Sequence, residues 1–352
     1  MFLSYIHSFR AIAIVLIVAF HALDLFEWSN HYFIGRLLAV FLSNATVLFV
    51  FIAGYLFCYL SDKYRYGGYL KKKTINIIAP YLVVSVPAIY HAVFMPVDIA
   101  SIYPQLDSTS KLYQIAWMYF HGGTHLNYAL WFIPMITIFY IISPAFMAII
   151  RRPILYVVLI LLVPVSMLVH RPVFPNLNTL HSVLYFLSVY VVGMTACQYR
   201  DTIEGYLGRV KLYLAIILLL YIFLQALFAD HSGIYSATKM FSFDHGYIDL
   251  QYFQKMILCF FLLAWLKDKS FNDNKTVGYI ADISFTIFFI HLYFIFAIKY
   301  LNGWNKFEGN IAFFVAIVAT VFICCMIVAR IAQALLGKHG RYLIGVPYHK
   351  KN

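Results

Sequence analysis

The chain has 352 residues, of which 63% are hydrophobic and 11% charged, and its mean hydropathy is +0.81. This composition excludes a soluble globular protein and predicts an all-α polytopic membrane protein. The formal net charge of +12 would also suit a nucleic-acid-binding protein, but the basic residues follow membrane topology, so no nucleic-acid partner is predicted.

Ten apolar segments are long enough to cross a bilayer when short interruptions are allowed. They cover about residues 6–24, 37–60, 74–95, 129–149, 154–170, 181–199, 210–229, 250–266, 278–299 and 311–336. The first lacks a small-residue cleavage site and leads directly into Asp24 and Glu27, so we expect it to remain as a signal anchor. The pattern predicts one transmembrane domain over residues 1–337 and a short basic cytoplasmic tail over residues 338–352.

The basic residues are divided unevenly between the two sides of the predicted membrane. Alternate loops and the C-terminal tail hold 18 of the 26 basic residues, seven lie on the opposite side, and Arg10 lies within the first segment. The richer side is cytoplasmic by the positive-inside rule, which predicts that both termini are cytoplasmic. An even number of segments leads to the same orientation.

The first segment, FRAIAIVLIVAFH, carries a guanidinium and an imidazole within an otherwise apolar run. On one helix Arg10 and His21 would lie within about 20° of one face and about 16 Å apart, which is about half of a bilayer core. Ionisable groups at this depth are costly unless they face protein or water, so we expect both to face one functional groove. The alternatives are that Arg10 only reaches the membrane surface and that His21 is a hydrogen-bonded core histidine.

Asp24 follows His21 by three residues and can share its helix face. A carboxylate in that place would fix the tautomer of the imidazole, which predicts an Asp24–His21 dyad. The alternative is an acid that only marks the outer end of the segment.

The second segment and the loop after it combine a small residue, a hydroxyl and a basic cluster. Within VLFVFIAGYLF, Gly54 permits close helix approach and Tyr55 offers a hydroxyl. The following loop, SDKYRYGGYLKKKTINIIAPY, contains Lys71, Lys72 and Lys73 and suits either anionic lipid headgroups or a phosphate-rich cytoplasmic ligand. Its proline, at position 80, is expected to open or kink the third helix.

Histidines and aromatic residues are frequent in the segments predicted to lie outside. His121 and His125 invite a metal site, but the Gly-Gly pair between them disfavours one helical face and no third ligand is near, so no metal is predicted. Two outside loops, MLVHRPVFPNLNTLH and the stretch 230–249, are expected to cover an acceptor pocket outside the membrane. The five cysteines lack metal-ligand and disulfide spacing and are expected to be apolar packing residues.

The fourth and ninth segments add three candidate site residues. Trp131, in LWFIPMI, taken alone is typical of an interfacial anchor. Ser284 and His291, in SFTIFFIHLYF, are seven residues apart and share a helix face. His291 is the second histidine in a deeply apolar segment, and we expect it to complete a site with His21.

Several motifs occur in an order that resembles the acyltransferase-3 family. They are the Arg-x10-His of the first segment, FIAGYLF, KKKTINIIAPY, LWFIPMI, the Gly193 context YFLSVYVVGM, and SFTIFFIHLYF. The resemblance extends from about residue 3 to residue 330. It implies a bacterial inner-membrane enzyme with about ten spans, in a short form without a soluble domain, that acylates surface glycans.

The resemblance also implies the substrates and two essential residues. The donor would be acyl-coenzyme A, most commonly acetyl-coenzyme A, on the cytoplasmic side, and the acceptor a carbohydrate hydroxyl outside. Arg10 and His21 match the essential arginine and histidine of the family. Departures from the family pattern are Ala53 in place of serine, Asn76 in place of arginine, and Ala129 in place of histidine before Leu-Trp.

From these residues the sequence predicts a through-membrane acyl transfer. Arg10 and the three lysines would bind the phosphates of coenzyme A, with His21 as general base or transient acyl carrier and Asp24 stabilising its imidazolium. The predicted donor contact is Tyr55, and the predicted substrate contacts are Trp131, Ser284 and His291. The competing hypotheses are a transporter of a glycan or lipid-linked sugar, and a non-catalytic partner of polysaccharide synthesis machinery.

Overall fold

The computed structural model describes residues 3–95, 99–229, 248–267 and 273–347. Its first helices are α1 (Ser4–Ala22), α2 (Tyr32–Leu42), α3 (Thr46–Tyr59), α4 (Tyr66–Lys73), α5 (Ala79–Phe94), α6 (Ile99–Ile102), α7 (Lys111–His121), α8 (Phe132–Ile141) and α9 (Ser143–Arg151). The others are α10 (Leu159–Val169), α11 (Thr179–Gln198), α12 (Arg200–Phe228), α13 (Leu250–Leu266), α14 (Lys275–Asp282), α15 (Ser284–Leu301), α16 (Ile311–Leu336) and α17 (Gly340–Leu343).

A small amount of other structure links these helices. A π-helical segment, Thr74–Ile78, joins α4 to α5, and two short parallel strands, β1 (Phe26–Glu27) and β2 (Phe307–Glu308), pair with each other. Residues 230–247 of the predicted outer loop lie outside the described residues. The same holds for residues 348–352 of the predicted tail. The described chain is almost entirely helical, as the sequence predicts.

Seven helical stretches of the described chain are long and apolar enough to cross a membrane. They are Ser4–Leu25, Ser29–Tyr59, Tyr66–Phe94, Thr179–Gln198, Arg200–Phe228, Ser284–Leu301 and Ile311–Leu343. An eighth crossing is formed if Tyr128–Ile141 and Ser143–Arg151, bent by 55° where Pro144 interrupts the helix, act as one span. The predicted fifth and eighth segments are the shorter helices Pro153–Val169 and Leu250–Leu266, so ten crossings and cytoplasmic termini stay predictions.

Side-chain caps explain where several of these helices begin. The side chains of Ser110, Asn178, Asp249, Asn274 and Asn310 accept hydrogen bonds from backbone N–H groups in the first turns of α7, α11, α13, α14 and α16. Each cap satisfies donors that an isolated helix end leaves without a partner. These short polar residues set the helix boundaries that the apolar pattern alone leaves uncertain.

The helix α1 lies at the centre of the bundle. It packs against α2, α3, α13, α14, α15 and α16, and its side chains are apolar around almost the whole circumference. A helix that is hydrophobic on every side suits either lipid or a protein core, and the burial of most side chains of α1 shows that other helices surround it. Arg10 and His21 are consequently held inside protein.

The helices α3 and α11 contact each other more extensively than any other pair in the described chain, and two glycines make this approach possible. A Cβ atom at Gly54 would lie 2.0 Å from the carbonyl oxygen of Tyr190, and one at Gly193 would lie 2.1 Å from that of Phe51. Each glycine faces the backbone of the other helix, so neither position has room for a side chain. The close helix approach predicted at Gly54 is present.

The C-terminal segment folds back onto the bundle beside the π-helical segment. Pro80 cannot donate to the carbonyl of Asn76, and the wider π-helical turn is located where this bond is missing. Arg341 Nε of α17 donates to the Asn76 side chain, and Val346 is buried against the core. The first part of the predicted tail is thus packed against the spanning helices.

Candidate functional site

Arg10 faces the protein interior from the first half of α1. Its Nη2 donates to the hydroxyl of Ser284 over 2.7 Å, and its guanidinium carbon lies 5.7 Å from the ring centroid of Phe285. Ser284 is fully buried at the start of α15. These contacts fix the guanidinium inside the bundle and disfavour the alternative that Arg10 only reaches for the membrane surface.

A cavity of about 500 Å³, the inner cavity, opens in front of Arg10 beside the loop that is predicted to be cytoplasmic. Its basic lining residues are Arg10, Lys63, Arg65, Lys72 and Lys73. No acidic residue is among the described side chains that line it. A concave surface with charge of a single sign concentrates ligands of the opposite charge, so the inner cavity suits a polyanion.

Two further groups define the wall of the inner cavity. The ammonium of Lys73 lies 4.7 Å from the ring centroid of Tyr140 and 5.4 Å from that of Tyr69, which holds this cation by cation–π attraction. Asn76 also lines the cavity, and its hydrogen bond to Arg341 brings a further guanidinium to the edge. Beyond its basic character, nothing in the sequence indicates this place for Arg341, because Asn76 lies 265 positions away along the chain.

His21 lies at the other end of α1 in a relay with Tyr128 and Asp24. Tyr128 donates to Asp24 Oδ2 over 2.9 Å, and His21 Nδ1 lies 3.3 Å from the Tyr128 oxygen. That oxygen accepts from His21 Nδ1–H, which leaves the lone pair on Nε2. The predicted direct Asp24–His21 dyad is absent, because α1 ends at Ala22 and Asp24 lies in a 3₁₀ turn.

His291 lies beside His21, with 5.3 Å between the two ring centroids. Its Nδ1 is 3.0 Å from the Ile287 carbonyl oxygen and 2.9 Å from that of Phe288, so it carries the proton and donates. Its Nε2 is buried without a hydrogen-bond partner among the described residues. The structure thus brings together the two histidines that the sequence singled out, and the Nδ1 atom of each is held by a different partner.

Arg171 is a site residue that the sequence analysis missed. Its guanidinium carbon lies 4.7 Å from the ring centroid of Trp131, and its Nη1 donates to Asn44 Oδ1 over 3.3 Å. Burial lowers the pKa of Arg171 to about 10, so the group remains cationic at neutral pH. Arg171 lies in the loop MLVHRPVFPNLNTLH, which the sequence predicts to cover an acceptor pocket, and being the sole charge of that loop was the only signal for the residue itself.

A second, much smaller cavity, the outer cavity, joins His21, Trp131 and Arg171. Its volume is about 10 Å³, which is room for about one water molecule. The buried Nε of Arg171 has no acceptor among the described residues. The outer cavity therefore brings an imidazole and a guanidinium to one small space.

The inner and outer cavities are separate, and this corrects the prediction that Arg10 and His21 face one groove. Phe132 lines the inner cavity and Phe288 the outer one, and their rings meet edge to face with centroids 5.5 Å apart. Helical spacing gives the direction of each side chain on α1. It carries no information about which rings from α8 and α15 fill the space between them.

Three other predicted site residues lie elsewhere. Ser284 binds Arg10 and is therefore at the inner end. Tyr55 is fully buried, 2.8 Å from the Tyr5 hydroxyl in a cluster with Glu204, and does not line the inner cavity. Lys71 is exposed and also lies outside the lining, unlike Lys72 and Lys73.

His121 and His125 do not approach each other as metal ligands. His125 Nε2 lies 3.1 Å from His91 Nδ1, whereas the His121 ring stacks on Trp117 with centroids 4.4 Å apart. Burial and the neighbouring His91 lower the pKa of His125 to about 4, so it is neutral at physiological pH. Within the described ranges, no group of three or more His, Cys, Asp or Glu residues could hold a metal ion.

Comparison with known proteins identifies the family. Residues 3–330 match the model of the family described as the acyltransferase domain, Acyl_transf_3. No curated protein and no solved structure matches the chain. The match covers nearly the whole chain and confirms the resemblance seen in the sequence motifs.

Proposed function

The chain belongs to the acyltransferase-3 family and is a membrane acyltransferase, and from this premise we propose that it acylates hydroxyl groups of a surface glycan. The donor is cytoplasmic acyl-coenzyme A, which we expect to be acetyl-coenzyme A, and the enzyme acts in the bacterial inner membrane beside the polysaccharide synthesis machinery. The observation that supports this best is the placement of a basic cavity and a histidine relay at opposite ends of α1.

The inner cavity is the proposed donor site. Its volume of about 500 Å³ is within the usual range of small-molecule sites. Arg10, Lys72 and Lys73 would bind the phosphates of coenzyme A through charge-assisted hydrogen bonds. Arg341 adds a cation through its bond to Asn76, the position where the family pattern has an arginine. The acyl end of the donor would then point toward Phe132.

His21 is the proposed general base. Its Nε2 would take the proton of the acceptor hydroxyl as the hydroxyl oxygen attacks the thioester carbonyl. The carbon–sulfur bond then breaks, and the proton passes from the imidazolium to the coenzyme A thiolate. Asp24, acting through the Tyr128 hydroxyl, would stabilise the imidazolium in between.

The negative oxygen of the tetrahedral intermediate needs a donor, and Arg171 is the proposed one. Its Nε–H lacks an acceptor among the described residues, and it lines the outer cavity together with His21. A fixed cation in a nearly closed cavity can stabilise developing charge without reorganisation. The alternative, a transient acyl group on His21, uses the same residues and differs in forming a covalent intermediate.

Transfer requires the contact between Phe132 and Phe288 to open. The outer cavity, at about 10 Å³, is too small for an acyl group, and the two rings separate it from the donor site. We therefore propose that donor or acceptor binding displaces one ring. A closed resting contact would protect the thioester from water between turnovers.

The assay for this function measures the free thiol of coenzyme A. Membranes that contain the protein, its own glycan and acetyl-coenzyme A should release thiol and gain acylated polysaccharide. His21→Ala should abolish both while the protein remains inserted and expressed. A transporter or a non-catalytic partner would release no thiol in either case, and full activity of the His21→Ala variant would refute the role of His21.

A further inference from the structure

A groove on the surface of the bundle, the α14–α16 groove, lies apart from the proposed reaction. Lys275, Thr276 and Tyr279 of α14 form one wall, and Arg330 with apolar residues of α16 forms the other. The groove has a volume of about 500 Å³ and shares no lining residue with the inner or the outer cavity.

The long part of the α14–α16 groove is apolar and faces outward. Ile323, Ile327 and Ile331 follow one another at four-residue spacing, and each is about half exposed, at 52%, 52% and 51%. Their helix is the most apolar of the spanning stretches in the described chain. This stripe would therefore lie against lipid hydrocarbon.

One end of the α14–α16 groove is cationic. The guanidinium carbon of Arg330 lies 4.1 Å from the ring centroid of Tyr279, an arrangement that leaves its N–H groups directed outward at the ring edge. In the part of the chain that the structure describes, neither Arg330 nor Lys275 has an acidic partner, and no acid lines the groove. Lys275 is also the first residue of α14, where the helix dipole adds positive potential.

The hydroxyl of Tyr279 is the second feature that points to a ligand. Its oxygen is buried and has no hydrogen-bond partner among the described residues. Buried polar groups are nearly always paired, so an unpaired hydroxyl in the wall of the groove favours a ligand that brings an acceptor. A phosphate oxygen bound between Arg330 and Lys275 would provide it.

We propose that the α14–α16 groove binds one anionic phospholipid, with its phosphate at Arg330 and Lys275 and one acyl chain along the isoleucine stripe. From Arg330 to Ile323 the helix rises by about 10 Å, which accommodates the upper part of an acyl chain. A zwitterionic lipid would bring its own ammonium group toward the same cations and would therefore bind less tightly. With two basic residues near the headgroup, the preference for an anionic lipid should be about thirty-fold.

The test uses the purified full chain in detergent, with native mass spectrometry and titration of dioleoyl phosphatidylglycerol or dioleoyl phosphatidylcholine. The wild type should retain one phosphatidylglycerol with about thirty-fold preference. The double variant K275Q/R330Q should lose that preference, and Ile327→Trp, which fills the stripe without changing charge, should weaken both lipids. Lys211→Gln, an exposed cation of α12 outside the groove, should behave as wild type.

Three outcomes would overturn the proposal. Equal affinity of the wild type for the two lipids would contradict recognition of an anionic headgroup. If Lys211→Gln lost as much preference as K275Q/R330Q, the preference would depend on the net charge of the protein and not on the groove. Unchanged binding in Ile327→Trp, with an unchanged melting temperature, would place the lipid elsewhere. None of these results depends on acyltransferase activity, so the outcome is independent of the proposed function.

Discussion

The relay from Asp24 through Tyr128 to His21 can be broken by removing a single oxygen atom. Tyr128→Phe deletes the hydroxyl that lies 3.3 Å from His21 Nδ1 and donates to Asp24 over 2.9 Å, while it keeps the ring packed beside Phe174. A hydrogen bond to a charged group contributes about 1.5–3 kcal/mol, so kcat should fall by about 10- to 150-fold. KM for acyl-coenzyme A should not change, because Tyr128 does not line the inner cavity.

The assay is the release of coenzyme A thiol by membranes or proteoliposomes, with matched variants. Asp24→Asn should also lower kcat, and the double variant with Tyr128→Phe should be little worse than the more damaging single change, because the residues act as one unit. Tyr103→Phe is the control, since it removes another buried hydroxyl, one that donates to the Gly123 carbonyl oxygen. Additive losses in the double variant, or a raised KM with unchanged kcat, would refute the relay.

The remaining predictions concern packing, the donor site and the aromatic contact. Gly54→Ala should lower the melting temperature and the folded yield, because its Cβ would lie 2.0 Å from a carbonyl oxygen of α11. The expected loss of folding free energy is about 1–3 kcal/mol. Gly67→Ala is the control, since nothing surrounds that position, and it should leave both quantities unchanged. Arg341→Gln should raise KM for acyl-coenzyme A by about ten-fold with kcat retained, whereas Lys338→Gln should leave KM unchanged. If the Arg341→Gln variant has the KM of the wild type, Arg341 is not part of the donor site. Phe288→Ala should increase thiol release without an acceptor, as water reaches the thioester, and an unchanged rate would mean that the contact does not separate the cavities.

The sequence predicts much of the fold because membrane helices have a strong local signal. The central position of α1 follows from an apolar run that holds Arg10 and His21, and the close approach at Gly54 follows from its small size. The meeting of His21 with His291 follows from two histidines in deeply apolar segments, each of which must face protein. These inferences use only the properties of each helix taken by itself.

The contacts between helices are what the sequence does not reveal. Tyr128 enters between His21 and Asp24 from a turn more than 100 positions away along the chain. Arg171 packs on Trp131, which is 40 positions earlier, and both line one cavity with His21. Phe132 and Phe288 divide the groove expected on α1. Each of these contacts depends on which side chains meet after the helices have packed. The periodicity of a single helix does not predict that.

In the proposed reaction, acyl-coenzyme A binds on the cytoplasmic side while His21 acts on a glycan at the other side. This arrangement is best tested with sealed inside-out vesicles from cells that carry the natural glycan. Radiolabelled acetyl-coenzyme A, which does not cross the bilayer, is added outside, where it reaches the cytoplasmic face. Labelled polysaccharide should accumulate in the vesicle lumen with the wild-type protein and be absent with His21→Ala. Label on the outer, cytoplasmic face, or equal labelling by right-side-out vesicles, would contradict transfer along α1 from the Arg10 cavity to His21.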